Sequence, residues 1–215
     1  MNLPFTLEQF LDVFAQYNNT IWPFQIILYL LALGAIFSAA MPASFSQRVV
    51  LIVLGFFWLW MGVIYHIVFF SPINPAAYGF GILFVIQGLL FLWSARKNTI
   101  TFSVTSGWRD SVGSLFIAYG LVLYPLLGLY VGHVYPSSPT FGAPCPTTIF
   151  TFGILIWSRG LPLYLLIVPV LWSLIGFTAA LTLGIYEDVG LLVSGITGTI
   201  LIVMRSREKN KLQST

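Results

Sequence analysis

Two histidines, one cysteine and six carboxylates are all that 215 residues offer for acid-base, nucleophilic or metal chemistry once the nine Lys and Arg are set aside. Cys145 stands in the segment Phe141-Gly142-Ala143-Pro144-Cys145-Pro146-Thr147-Thr148. Read as a helix start, that segment puts Cys145 at the N-cap, Pro146 at the first helical position and Thr147 and Thr148 in the first turn. There the helix dipole would favour a thiolate or a bound anion. A thiolate beside His66 or His133 would suit zinc or copper, since Cys and His are their usual ligands. The spacing forms no ligand motif, however, so a packing role for Cys145 and a hydrogen-bonded structural role for each histidine stand beside that reading, with Tyr65 and Tyr135 as neighbours. No particular cofactor is specified.

The other candidates are Asn74, ahead of an apolar run, and the pair Glu187-Asp188, read here as capping carboxylates at the start of the last helix. Asn74-Pro75-Ala76 resembles the water-channel signature, but such channels carry two copies on half-helices from opposite faces, and here one copy precedes a full-length span. The three lysines, Lys97, Lys209 and Lys211, fall outside the apolar runs, which excludes a Schiff base to retinal within the membrane. Phosphate loops, nucleophile elbows, carboxylate pairs within a span and internal repeats are all missing from the sequence.

The elements that must position these residues are set by composition. Hydrophobic residues make up 58% of the chain and charged residues 7%, with a mean hydropathy of +0.94, far from the roughly 25% charge of a soluble domain. The solvent of such a chain is a lipid bilayer, and a single membrane domain fills it. A net charge of +3 does not indicate nucleic acid, because the basic residues sit between apolar runs. The lone cysteine excludes an intramolecular disulfide. With no basic residue ahead of the first apolar run, that run is expected to be a retained helix rather than a signal peptide.

A helix needs about 20 apolar residues to cross a bilayer core of about 30 Å. The all-α reading has seven spans, near 22–40, 47–70, 76–95, 112–133, 146–158, 162–183 and 188–204, broken at Met41-Pro42, Ser71-Pro72, Arg96-Lys97-Asn98, Pro136 to Pro139, Arg159-Gly160 and Glu187-Asp188. All nine basic residues, Arg48, Arg96, Lys97, Arg109, Arg159, Arg205, Arg207, Lys209 and Lys211, then fall on one side. The positive-inside rule makes that side cytoplasmic, with the N-terminus outside and residues 205–215 as a basic cytoplasmic tail. Residues 6–17 carry capping-box spacing from Thr6 to Gln9 and a stripe of Leu7, Phe10, Leu11 and Phe14, which predicts an amphipathic helix lying on the outer surface. The fifth span is short: about 13 residues cover only about 20 Å. The proline-rich segment before it must dip inward as irregular backbone, which membranes tolerate only where protein covers it or it lines a wet cavity.

Three stretches carry a resemblance over nearly the whole chain: Tyr17-Asn18 with Trp22-Pro23; Trp58-Leu59-Trp60-Met61-Gly62-Val63-Ile64-Tyr65-His66 leading to Pro72-Ile73-Asn74-Pro75-Ala76-Ala77; and Phe141 to Thr148 as quoted above. They resemble an uncharacterised family of bacterial multi-pass membrane proteins, a domain of unknown function. That resemblance implies a bacterial inner membrane and no activity. The leading expectation is a small transporter or channel-like protein with a solute or ion site in the outer half, at His66, Asn74, His133, Cys145, Thr147 and Thr148. Beside it stand a metal- or haem-binding enzyme or sensor using Cys145, His66 and His133, and an accessory subunit of a membrane complex. Catalysis is left undecided.

Overall fold

The computed structural model describes residues 3–41, 45–97 and 99–213, with side chains up to residue 207. Pro42 and Asn98, two of the expected breaks, lie outside the described residues, and Glu208, Lys209 and Lys211 lie outside the described side chains. The fold is all-α apart from one two-residue antiparallel pair, β1 (Thr101–Phe102) with β2 (Ser158–Arg159).

The helices run α1 (Leu7–Ile21), α2 (Phe24–Ala40), α3 (Ser46–Trp60), α4 (Ala77–Ser94), α5 (Trp108–Ala118), α6 (Tyr124–Tyr130), α7 (Pro144–Ile156), α8 (Ile167–Leu183) and α9 (Val189–Gln213). A π-helical stretch, Met61–Phe70, prolongs α3, and another, Tyr119–Leu123, joins α5 to α6. Among the described residues, five helices are long and apolar enough to cross a membrane: Ser46–Phe70, Ala77–Ser94, Trp108–Tyr130, Leu163–Leu183 and Tyr186–Arg207. A sixth results if α1 and α2, bent by 87° at their junction, count as one. The expected first and fifth spans are the shorter ones, with α2 at 17 residues and α7 at 13.

Close approach of glycines sets the packing. α3 and α4 run antiparallel with Gly62 against Gly81 and Gly55 against Gly88, and a Cβ on Gly62 would stand 2.8 Å from the Gly81 carbonyl oxygen. Small residues let membrane helices approach through van der Waals contact, because burial from lipid supplies no hydrophobic gain. α5 meets α7 in the same way, Gly113 against Gly153.

Helix α7 is the centre of the bundle, with every described side chain buried except Cys145, which is intermediate. It starts two residues before the predicted 146: Ala143 is the extended N-cap, Pro144 and Pro146 sit in the first turn, and Cys145 lies inside that turn rather than at the cap. The irregular segment ahead of it is largely covered by protein from Ser138 onward. Asn18, fully buried on α1, donates to the carbonyls of Pro136 (2.6 Å) and Ser138 (2.8 Å). Tyr17 donates to Gly142 (2.9 Å) and accepts from the Trp60 indole (2.8 Å).

Helix α1 therefore does more than float on a surface. Its capping box is present, Gln9 N to Thr6 Oγ1 at 3.2 Å and Thr6 N to Gln9 Oε1 at 2.9 Å. It extends to Ile21 rather than 17, and its apolar face packs on protein, Phe14 stacked on Tyr65 and Phe10 edge-on to Phe70.

The opposite end of the bundle gathers the cations. Asp110, in the first turn of α5 and 1% exposed, accepts from Thr105 N (2.9 Å), Thr105 Oγ1 (2.6 Å) and Arg205 (2.7 Å). Arg159 stands 3.7 Å away, its pKa lowered by burial and by the neighbouring Arg205 guanidinium. Arg205 also donates to the Ile156 carbonyl at the end of α7. The pair β1 with β2 ties the connection after α4 to the turn after α7 at this same end. Helix α9 continues to Gln213, past the 204 expected as the last span's limit, so the basic residues after 204 continue the same helix. The run Arg205 to Gln213 is rich in good helix formers, which propagate a helix already nucleated.

Candidate functional site

At the end away from Asp110, a cavity of about 270 Å³ lies between α1, the end of the Met61–Phe70 stretch, the start of α7 and the middle to C-terminal part of α8. Its walls are rings. Phe5, Phe10 and Phe14 come from the N-terminal segment, Tyr65 and Phe70 from the end of the third span, Phe80 from α4 and Trp172 from α8. The rings pack on one another, Phe5 on Phe70 at 5.4 Å and Phe80 on Trp172 at 5.6 Å between centroids. Polar atoms enter at Asn74 near the rim, where Oδ1 accepts from Ala76 N at 3.1 Å, and at Cys145 and Asp188.

Cys145 and Asp188 interact through their side chains, and Tyr124 donates to Asp188 Oδ1 at 2.5 Å. Asp188 is 3% exposed. Trp172 turns its indole N–H toward Cys145, and that buried nitrogen completes no hydrogen bond. Next to Asp188, Glu187 pairs with His133 (Nδ1 to Oε1, 2.7 Å), and its other oxygen, buried, has no partner among the described residues. Tyr119 donates to the Glu187 carbonyl at 2.8 Å.

The six expected site residues divide. Asn74 and Cys145 line the cavity. His133 does not line it but pairs with Glu187, the chain neighbour of the lining residue Asp188. His66 is fully buried behind the wall, ringed by Phe84 at 4.6 Å and Trp172 at 5.0 Å, with neither ring nitrogen bonded. Tyr65 gives it an edge-on ring contact and no hydrogen bond, contrary to the structural role expected for this histidine. Thr147 closes the turn before α7 by accepting from Gly142 N at 2.9 Å. Thr148 is buried with an unbonded hydroxyl and takes no part in the lining. Among the described residues, no group of three or more His, Cys, Asp or Glu is arranged to hold a metal ion.

Asp188 and Glu187 were expected as caps. Their side chains reach across to neighbouring elements, Asp188 to Tyr124 and Glu187 to His133, because a carboxylate in this setting gains more from a buried Tyr or His than from solvent-facing backbone. Sequence reasoning also passed over Trp172, Tyr124 and the Phe5, Phe10 and Phe14 wall. The one signal for Asp188 was two adjacent carboxylates facing a long apolar span with no basic residue near.

No curated protein and no solved structure matches the chain. A model described as a family of unknown function, DUF6064, matches residues 7–213. With nearly its whole length covered, the chain belongs to that family.

Proposed function

We propose that this protein crosses the membrane seven times, counting α2 and the short α7, and binds a small solute or ion in the outer cavity as a transporter or channel-like protein. Its N-terminus and cavity face outward and its basic end faces the cytoplasm of a bacterial inner membrane. The gathering of Arg159 and Arg205 on Asp110, with Arg96 and Lys97 on the connection tied to it by the β pair, supports that orientation.

One observation carries the site: Cys145, in the first turn of the most buried helix, keeps intermediate exposure. The space beside it therefore reaches from the rim to the start of α7, and that floor carries the thiol, the Asp188 carboxyl and an unpartnered Trp172 N–H. A concave, mainly apolar cavity with a few convergent polar groups is the usual form of a small-molecule site.

Cys145 is the sole cysteine, so labelling it tests the proposal without background. In sealed vesicles of known orientation, a small membrane-impermeant methanethiosulfonate added outside should modify Cys145. Ala179→Phe, which fills the rim, should slow that modification at least tenfold, and a bound solute should protect the thiol. An unreactive Cys145, or an equal rate in Ala179→Phe, would overturn the proposal.

A further inference from the structure

The chemistry of the cavity lining narrows the ligand, given that the cavity is the ligand site proposed above. Among the described residues Asp188 is its one carboxylate, and no Lys, Arg or His lines it. Asp188 accepts from the Tyr124 hydroxyl and interacts with the Cys145 thiol. A carboxylate shielded from water needs a compensating charge, and among the described residues the nearby candidate, His133, is already paired with Glu187. The walls supply the complementary surface, since ring faces attract cations. An anionic head group would face Asp188 with no cationic partner. A neutral ligand would fill the walls and leave the carboxylate uncompensated.

The second feature is the Trp172 N–H, buried, turned toward the Cys145 thiol on the cavity floor and, among the described residues, without a completed hydrogen bond. A donor in this position calls for an acceptor atom on the ligand. We infer that the cavity binds a lipophilic ammonium compound carrying an acceptor oxygen, its charge beside Asp188 among the rings of Tyr65, Phe80 and Trp172, and its oxygen facing the Trp172 N–H. The rim residues Ile175 and Thr178 on α8 are exposed, which gives the apolar body of such a compound a lateral route from the membrane.

Benzoylcholine, with aromatic body, ester oxygen and quaternary charge, is the probe. Its uncharged isostere 3,3-dimethylbutyl benzoate and the anion 2-(benzoyloxy)ethanesulfonate are the controls. Binding is read in non-ionic detergent by thermal stabilisation and by protection of Cys145 from labelling. Benzoylcholine should bind at least tenfold tighter than the neutral ester, and the sulfonate weakest. Asp188→Asn should erase the preference while leaving the neutral ester's affinity within twofold, and Trp172→Phe should weaken both esters alike. Equal affinity of cation and isostere in the unmodified protein, or a preference that survives Asp188→Asn, overturns the inference and leaves the cavity as a site for neutral solutes. Should Asp188→Asn fail to fold, the ranking in the unmodified protein decides. If no probe binds, the inference falls, and the effect of Ala179→Phe on Cys145 labelling then shows separately whether the cavity proposal falls with it.

Discussion

Asp110 and Asp188 stand at opposite ends of two antiparallel neighbours, one in the first turn of α5 and the other just ahead of α9, and the bundle treats them differently. Both are buried, at 1% and 3% exposure. Asp110 accepts from two groups on Thr105 and from Arg205, with Arg159 nearby, so its charge is met within the chain. Asp188 has a hydroxyl and a thiol beside it and faces a cavity. A carboxylate answered on all sides fastens helices together; one left short of a counter-charge beside open space is available to something else. The same chain thus uses one side-chain type as a latch at one end and as a cavity-lining group at the other.

The sharpest way to break this comparison is Asp110→Ala. Removing one partner of a buried ion pair strands the other, at about 3–5 kcal/mol, because Arg205 would remain at 15% side-chain exposure with no carboxylate. Reversible unfolding in mixed micelles should register that loss, and Arg205→Met added to it should recover part. A loss under about 1 kcal/mol would mean that the latch is ornamental.

Tyr124→Phe comes next in size. It removes the hydroxyl that meets Asp188 at 2.5 Å, and buried polar contacts within membranes are worth about 1–2 kcal/mol at most. The same unfolding assay should give a loss in that range, smaller than for Asp110→Ala. If the two variants were equal, the contrast between the ends would disappear.

How far these residues could be read from the sequence follows from what periodicity reports in a membrane. Five of the expected spans are long apolar helices, and the short α7 was foretold by its prolines, because length, composition and punctuation act locally. The inward-facing sides were illegible: Leu30 toward the surroundings and Leu28 in the core are both apolar, since lipid and protein interior ask for the same side chains. Hence Gly55, Gly62, Gly81 and Gly88 carried no visible message until α3 and α4 lay side by side. Asn74 and Cys145 were legible because a polar residue beside proline in an apolar chain needs a reason. Asp188 was misread because capping is a local rule, whereas its partners Tyr124 and Cys145 come from elements more than forty positions away.

His66 tests whether the unpartnered groups at the cavity end are retained for binding or merely endured. Both of its nitrogens are buried and unbonded among rings, and an unsatisfied polar atom of this type costs about 1 kcal/mol or more. His66→Leu, close to it in volume, should therefore raise stability by about 1 kcal/mol. Because His66 lies behind the lining, Cys145 labelling and its protection by bound solute should not change. A stability loss would imply an unseen partner, and lost protection would return His66 to the site.

The smallest effect on stability is expected from Asp188→Asn, and its smallness is the point of the comparison. Asparagine keeps an acceptor oxygen for Tyr124, replaces the weak acceptor contact to the Cys145 thiol, and removes a charge whose nearby cationic candidate, His133, is already paired with Glu187. At Asp110 the same exchange would leave Arg205 short of its carboxylate. Unfolding of Asp188→Asn should thus stay within about 1 kcal/mol of the unmodified protein, or show a gain, since a neutral group is cheaper to bury than an ion. A loss approaching that of Asp110→Ala would mean that the carboxylate is fully answered inside the bundle, and the cavity would then have no claim on it.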